Sequence, residues 1–541
     1  MFIRHKILPA VGLLGLIAAG GAQAAGLVSA GNAFHISGST ALDNQIKDAL
    51  LLAPPTGPCT AGTIHIYTDA PFLGAGKGNI TKAHQTTIVC NLAAAIGGLS
   101  SGTTVAFTKE SNGGSNEGTA FIANQAPLAF FDATVAPVGC QDVGALAAGF
   151  YWAHQQAIAD EQDACTGTVN SIIPEIGVAD EDPSLFNVGL QQVSSAQIAK
   201  LNTTPLFQNQ FAIAVSLNFY RALQRAQGLT LDDTLANMPS LTRAEIAALY
   251  NGTLTSWANI LSPSGAAINS AAYTAGAVIN PQVYLCRRGD NSGTNVSADV
   301  YFLHNRCSYS VVSGTLTPVG TPMLPVTSST CVGLPAGQTA ENNGCTWNAA
   351  NIGDTVFGGA ATGDVVSCLN AHSVANTTFA FGHLGATSKF DDPLGVEASG
   401  EPGTAHFRYI AISGSKPTVL GMANGTYDYA MDNVENLFTG LSGNALSVGN
   451  YLGTLFQNTT ALSDILVAQP NAQNAAHVAD ANYITGGLVD GFNAGSLNTP
   501  PVTAAAVTSN PASVFTFFAT GGVNNCQRVL PIGSVLPKEA L

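Results

Sequence analysis

Three stretches of the chain repeat one local design suited to holding an anion. A short strand over 33–36 runs into Ser37-Gly38-Ser39-Thr40 and then a helical pattern over 41–52. A strand over 104–108 is followed by Ser111-Asn112-Gly113-Gly114-Ser115 and a helical run through Ala123. A strand over 283–286 leads through Arg287-Arg288-Gly289-Asp290-Asn291-Ser292-Gly293-Thr294 into a helix ending at Leu303. In each, glycine lets the backbone approach a ligand closely. Hydroxyls and unpaired N–H groups gather at a helix N-terminus, where the dipole favours negative charge. Ser and Thr are also ordinary N-caps, so one such loop says little. Three of them, one with an arginine pair, say more.

Arginine is scarce here. The whole chain carries 18 Lys+Arg, and no arginine lies between Arg4 and Arg221. A guanidinium stays charged and gives planar, bidentate hydrogen bonds to an oxyanion. Alternation along a strand sends Arg287 and Arg288 to opposite faces, so one of the two is expected to reach a ligand.

The elements that must position these loops read as alternating strands and helices, an α/β pattern without a fixed-period repeat. Residues 211–215 form a buried strand, with Ser216 placed to cap a helix through Gln227. Thr242-Arg243-Ala244-Glu245 is a capping box, and Gly252 lies just past that helix. Gly/Ser/Thr/Asn-rich stretches at 117–175, 308–365 and 430–510 read as insertions on a smaller scaffold, two of them with clustered cysteines.

The chain has 541 residues, 46% hydrophobic and only 9% charged, where about 25% charged is usual. That composition argues against disorder. A net charge of −15 argues against nucleic acid or an anionic membrane surface as partner. Residues 1–24 read as a secretory signal: a basic start at Arg4, His5 and Lys6, an apolar stretch over 7–20, and an Ala22-Gln23-Ala24 cleavage site. No cysteine stands at that site, so no lipid anchor is expected, and no later segment is long enough to span a membrane. The expected location is periplasmic or secreted. Ten cysteines, none in a metal-ligand spacing, read as disulfides in an oxidising compartment. Cys59–Cys90, Cys140–Cys165 and Cys331–Cys345 are the plausible local pairs, the connectivity staying open.

Five segments in this order together resemble the periplasmic phosphate-binding proteins of ABC-type phosphate transporters: SGST at 37–40, ESNGG at 110–114, IGVADEDP at 176–183, LTRAEIAALYNGTLTSWANI at 241–260 and RRGDNSGT at 287–294. FAFGHLGATS at 379–388, ISGSKPTV at 412–419 and NGTYDY at 424–429 are weaker pieces. The likeness covers under half the chain. It implies a two-lobed class II periplasmic-binding fold, each lobe a mixed sheet flanked by helices. Lobe one would comprise 25–205 and 390–541, and lobe two 206–389. The resemblance further implies inorganic phosphate as ligand, membrane subunits of a transporter as possible partners, and no cofactor or metal. Ser39 and Thr40 would donate from the first loop and Ser111 from the second. Arg288 would form the salt bridge to the anion, and Ser292, Gly293 and Thr294 would supply hydroxyl and N–H donors. Asp180 would accept the proton of hydrogen phosphate, which disfavours sulfate because two proton-free oxygens would then face each other. Asp290, with Arg287, is expected to support the loop, Asp290 by holding Arg288. Ala41 stands where the family has an aromatic residue.

Two other classes compete. An enzyme would need its own chemistry, and little is present. Gly98-Leu99-Ser100-Ser101-Gly102 matches G-x-S-x-G but precedes a strand, whereas a nucleophile elbow lies between a strand and a helix. No metalloprotease, Walker A or dinucleotide motif occurs, and His35 and His383 read as structural. Catalysis is therefore not expected. A secreted matrix or adhesion protein would suit the low charge, the disulfides and Arg288-Gly289-Asp290. Retention of phosphate on purification separates that class from a receptor.

Overall fold

The computed structural model describes residues 27–456 except 53, 70–84, 112, 136–137, 143–151, 157–162, 188–191, 308, 313–314, 319–320, 329, 333, 335–337, 386–406 and 419–425. The expected signal at 1–24 lies outside the described residues. Among those described, no helix is long and apolar enough to cross a membrane.

The chain begins with β1 (Ala33–Gly38) and α1 (Asp43–Leu50), followed by β2 (His65–Thr68), β3 (Gln85–Asn91), β4 (Thr104–Glu110) and β5 (Ile176–Ala179). β1 lies parallel between β4 and β5, with Ile36 opposite both Lys109 and Ile176. The strands Trp152–Gln156, Asp163–Thr166 and Val138–Asp142 extend this sheet beyond β2. The expected insertion at 117–175 thus contributes edge strands to the lobe-one sheet. Phe34, Ile36, Ile46, Val105 and Phe107 bury their side chains beneath it. The helix expected after the second loop is short: a π-turn over Glu117–Phe121 runs into Ile122–Asn124.

Two strands then join the lobes. β6 (Leu201–Ser216) is sixteen residues long, pairing in its first part with a late strand of lobe one and in its second with lobe-two strands. Its register against the late strand shifts between Pro205 and Gln208, a β-bulge or irregularity. Lobe two follows with α2 (Leu217–Ala226), β7 (Ser240–Leu241), α3 (Arg243–Tyr250), β8 (Val283–Arg288) and α4 (Gly293–Leu303). β9 (Val356–Gly359), α5 (Thr362–Ala375), β10 (Phe379–Gly385) and β11 (Phe407–Ile412) complete it. β8 runs parallel between β9 and β10, and β10 returns antiparallel to β6. The core is aromatic, with Phe219 4.4 Å from Trp257 and 4.9 Å from Phe379 between ring centroids.

β12 (Ala430–Phe438) then crosses back beside β6, antiparallel to it and to β5, and α6 (Gly443–Phe456) closes the lobe-one core with Leu452, Leu455 and Phe456. The part of 430–510 that is described is therefore scaffold rather than insertion; the rest, from 457, lies outside the described residues. β11 pairs with β6 at 213–216 and with β7. The expected boundary at 389–390 lies outside the described residues.

Local signals fare unevenly. The Thr242 capping box forms, Thr242 Oγ1 accepting from Glu245 N at 3.1 Å and Glu245 Oε2 from Thr242 N at 2.8 Å. Ser216 stands at the N-cap of α2, but its hydroxyl accepts from Ala380 N at 3.1 Å, tying helix start to β10 instead of capping. Cys59–Cys90 and Cys331–Cys345 are bonded as expected. The Cys140–Cys165 pairing falls on side chains outside those described. Cys286–Cys368, joining β8 to α5, was not anticipated.

β12 also carries Glu435, buried against Gly453 of α6, where a Cβ would lie 2.7 Å from its Oε2. Burial pushes its carboxyl from 4.5 up to about 8. The folded state then holds a proton that the unfolded chain releases, so this group's contribution is intact below pH 4.5 and lost as pH rises through 8. Glu435→Gln removes that dependence. At about 1.4 kcal/mol per pH unit, its stabilising effect should be roughly 3 kcal/mol larger at pH 8 than at pH 5, read from denaturant melts.

Candidate functional site

The three loops meet beyond the C-terminal ends of β1, β4 and β8. β1 finishes at Gly38 with φ +117°, a conformation only glycine adopts easily, and its Cα faces Val178 O of β5. This tight end presents Ser39, whose N donates to Val178 O at 3.0 Å and whose Oγ donates to Asp180 Oδ1 at 2.5 Å. Ser115 Oγ donates to the other oxygen, Asp180 Oδ2, at 2.9 Å, and Asn433 Nδ2 of β12 donates to Asp180 O at 3.2 Å. Burial raises the Asp180 carboxyl, opposed by the Ser39 and Ser115 hydroxyls and by the charges of Arg288 and Lys109. Asn433 Nδ2 also reaches Asp180 Oδ1 at 3.4 Å, so Asp180 is a fixed acceptor whose spare lone pair is on Oδ2.

Arg288 comes from the other lobe, at the end of β8, and is buried. Its Nε donates to Gly359 O at 3.2 Å and its Nη2 to Ala360 O at 2.7 Å, both at the end of β9. Nη1 then reaches across to Thr40 Oγ1 at 3.3 Å and to Thr362 Oγ1 of α5 at 3.5 Å. Burial lowers the guanidinium to about 10, so it remains charged at neutral pH. Beside it, α4 begins with Ser292 at the N-cap, whose side chain makes no capping bond. Gly293 lies directly against the Asp180 corner, where a Cβ would fall 2.5 Å from Asp180 Oδ2. Asn116 N donates to Asn291 O at 3.1 Å between the loops.

Of the residues singled out in the sequence, Ser39, Thr40, Asp180, Arg288 and the turn Ser292-Gly293-Thr294 converge. The Ser111 hydroxyl donates to Asp43 Oδ2 at 2.8 Å, a carboxylate whose charge acts on Arg288. Asp290 departs, because Arg288 turns toward β9 and Thr40. Asp290 Oδ1 instead accepts from Arg287 Nη1 at 3.2 Å and lies 3.8 Å from Arg306 Nη2. Arg287 points to the opposite side from Arg288, as alternation requires, and pairs also with Glu341. The Arg288-Gly289-Asp290 tripeptide is therefore folded inward, its charges engaged inside the protein.

Lys109 was missed. Its ammonium donates to Gly38 O at 2.8 Å and Glu110 O at 3.0 Å and pairs with Asp43 at 3.0 Å, putting a buried cation beneath the first two loops. Its signal was a lysine at the end of an otherwise apolar strand, just before ESNGG. Ser115, Thr362 and Asn433 were missed as well. His383 is structural, its Nδ1 paired with Tyr250 Oη at 2.9 Å, and burial with Arg287 and Arg288 lowers it to about 3. His35 lies 3.1 Å from Glu175 Oε2. Ser100 sits in a turn between β3 and β4.

No protein-family model and no curated protein sequence matches the chain. Among solved structures it is similar to a putative phosphate ABC transporter substrate-binding protein with bound phosphate from Clostridium perfringens. That match is at 12% identity and a TM-score of 0.35, covering 81% of this chain and 97% of that one. It is also similar to an ABC-type phosphate transport receptor from Vibrio cholerae, at 12% identity and a TM-score of 0.28, covering 54% and 78%. At these scores the functional reading rests on the site itself.

Proposed function

We propose that the protein is an exported solute-binding protein that captures inorganic phosphate, or a close oxyanion, between its lobes, serving ABC-type uptake. The observation that carries this reading is the meeting of Arg288 from one lobe with Thr40 and Asp180 from the other at the uncapped start of α4. A buried cation, a fixed acceptor and free helix-terminal donors together suit an oxyanion that carries one proton. Phosphate at neutral pH has both the charge for Arg288 and a hydroxyl for Asp180; sulfate lacks the hydroxyl. Ser39 and Thr40 end the first loop, Ser292, Gly293 and Thr294 the third, and Ser111 supports the site through Asp43.

Titration calorimetry of the mature protein, stripped of ligand, with phosphate, sulfate and arsenate at pH 7 tests it. Phosphate and arsenate should bind at least about a hundredfold more tightly than sulfate, the scale on which an unpaired buried polar group discriminates. Asp180→Asn should narrow that gap by giving sulfate a donor. No heat with any oxyanion would overturn the reading and favour a matrix protein on the same scaffold.

A further inference from the structure

Glu181, next to Asp180, has no role in the reading above, yet it is fully buried and neither carboxyl oxygen has a hydrogen-bond partner. A buried carboxyl left without partners is costly, so its orientation calls for a reason. It points to the start of α4: a Cβ on Gly293 would lie 2.4 Å from Glu181 Oε2 and 2.5 Å from Asp180 Oδ2. The two carboxyls therefore flank the same uncapped helix N-terminus. Resting on the proposed anion site, we propose that Glu181 is a second carboxyl of that site, presenting a carboxylic acid O–H to the bound oxyanion while Asp180 accepts from it.

The groups around Glu181 favour the acid form. Arg306, beyond α4, donates through Nε to Asp299 Oδ2 at 2.7 Å and lies 3.8 Å from Asp290 Oδ1. Tyr429, just before β12, shares its hydroxyl with Ser297 of α4 at 3.0 Å. Asp180 lies on the other side, against the same helix start. Burial first, then the Asp180 charge, raise the Glu181 carboxyl well above its ordinary value, Arg306 only partly opposing them. A second carboxylate would repel the ligand; a carboxylic acid adds a donor. An O–H donor serves phosphate and sulfate alike, so Asp180 sets the choice of oxyanion and Glu181 the pH range of capture.

The test is phosphate calorimetry from pH 5.5 to 8.5 on the intact mature protein, Glu181→Gln and Glu181→Ala, with ligand-free melts to verify folding. The glutamine keeps a donor that cannot titrate. It should bind within about threefold of wild type at pH 6 and weaken less than wild type toward pH 8.5, the ligand's own titration being common to both. The alanine variant should bind about tenfold or more weakly at pH 6. Parallel pH profiles for wild type and Glu181→Gln, or wild-type affinity in the folded alanine variant, would overturn the proposal while leaving the phosphate site standing. A wild type that binds no phosphate at any pH would overturn both.

Discussion

Arg288→Ala should weaken phosphate binding by about 400-fold, the middle of the range for truncating one member of a buried hydrogen-bonded charge pair. The guanidinium is the cation that bridges the lobes at the site, fixed on one edge by the Gly359 and Ala360 carbonyls and reaching Thr40 with the other. Its fork therefore arrives preorganised, with little side-chain entropy left to lose on binding. Arg288→Lys should recover only part of the loss, because a point charge cannot hold both carbonyls and still reach across. Calorimetry gives the affinities. Thermal melts with and without phosphate give an independent reading, since a ligand that binds only the folded state raises stability by RT ln(1 + [L]/Kd). The upward shift with phosphate should vanish in the alanine variant. An undiminished shift would remove Arg288 from the site.

How much of this was legible in the sequence follows from the range over which each interaction acts. The strand–loop–helix units around Ser39 and Gly293 rest on neighbouring residues, so glycine placement and apolar runs announced them. The alternation that parts Arg287 from Arg288 is equally local, and it held. What Arg288 touches is not local: Gly359 and Thr362 come from a strand and helix some seventy residues on, and Thr40 from the opposite lobe. Asp290 was assigned to Arg288 because it is near in sequence, whereas the fold delivers Arg306 and Arg287 to it. Ser111 was matched by motif, and only the register of β4 beside β1 reveals that Asp43 takes its hydroxyl. Low charge and many glycines around 117–175 and after 430 looked like insertion, and β12 carries Asp432, Asn433, Glu435 and Asn436 buried inside the sheet, so no apolar alternation announced it. Glu181 stands between Asp180 and Asp182, where residue type alone does not separate a buried carboxyl from a solvated one.

Removing the Cys286–Cys368 disulfide should destabilise the protein by about 4 kcal/mol, the loop-closure value for a crosslink spanning 82 residues, with Cys331–Cys345 shortening the free path inside it. Both sulfurs are buried, and no free cysteine occurs among the described residues, so the double variant Cys286→Ala/Cys368→Ala leaves no new thiol there to reshuffle. The crosslink fastens α5 to β8 two residues before Arg288, and α5 begins with Thr362, which Arg288 also meets. Its loss acts chiefly through the unfolded chain, which regains the freedom of a long closed loop. Urea melts should therefore show a lowered midpoint with the stability loss above, while phosphate affinity at 25 °C falls far less than in Arg288→Ala. β8 keeps its pairing with β9 and β10 on both sides without the sulfur link, and that pairing is what aims the guanidinium. A large loss of affinity in a variant that still melts cooperatively would mean that the disulfide, and not the sheet, holds Arg288 in position.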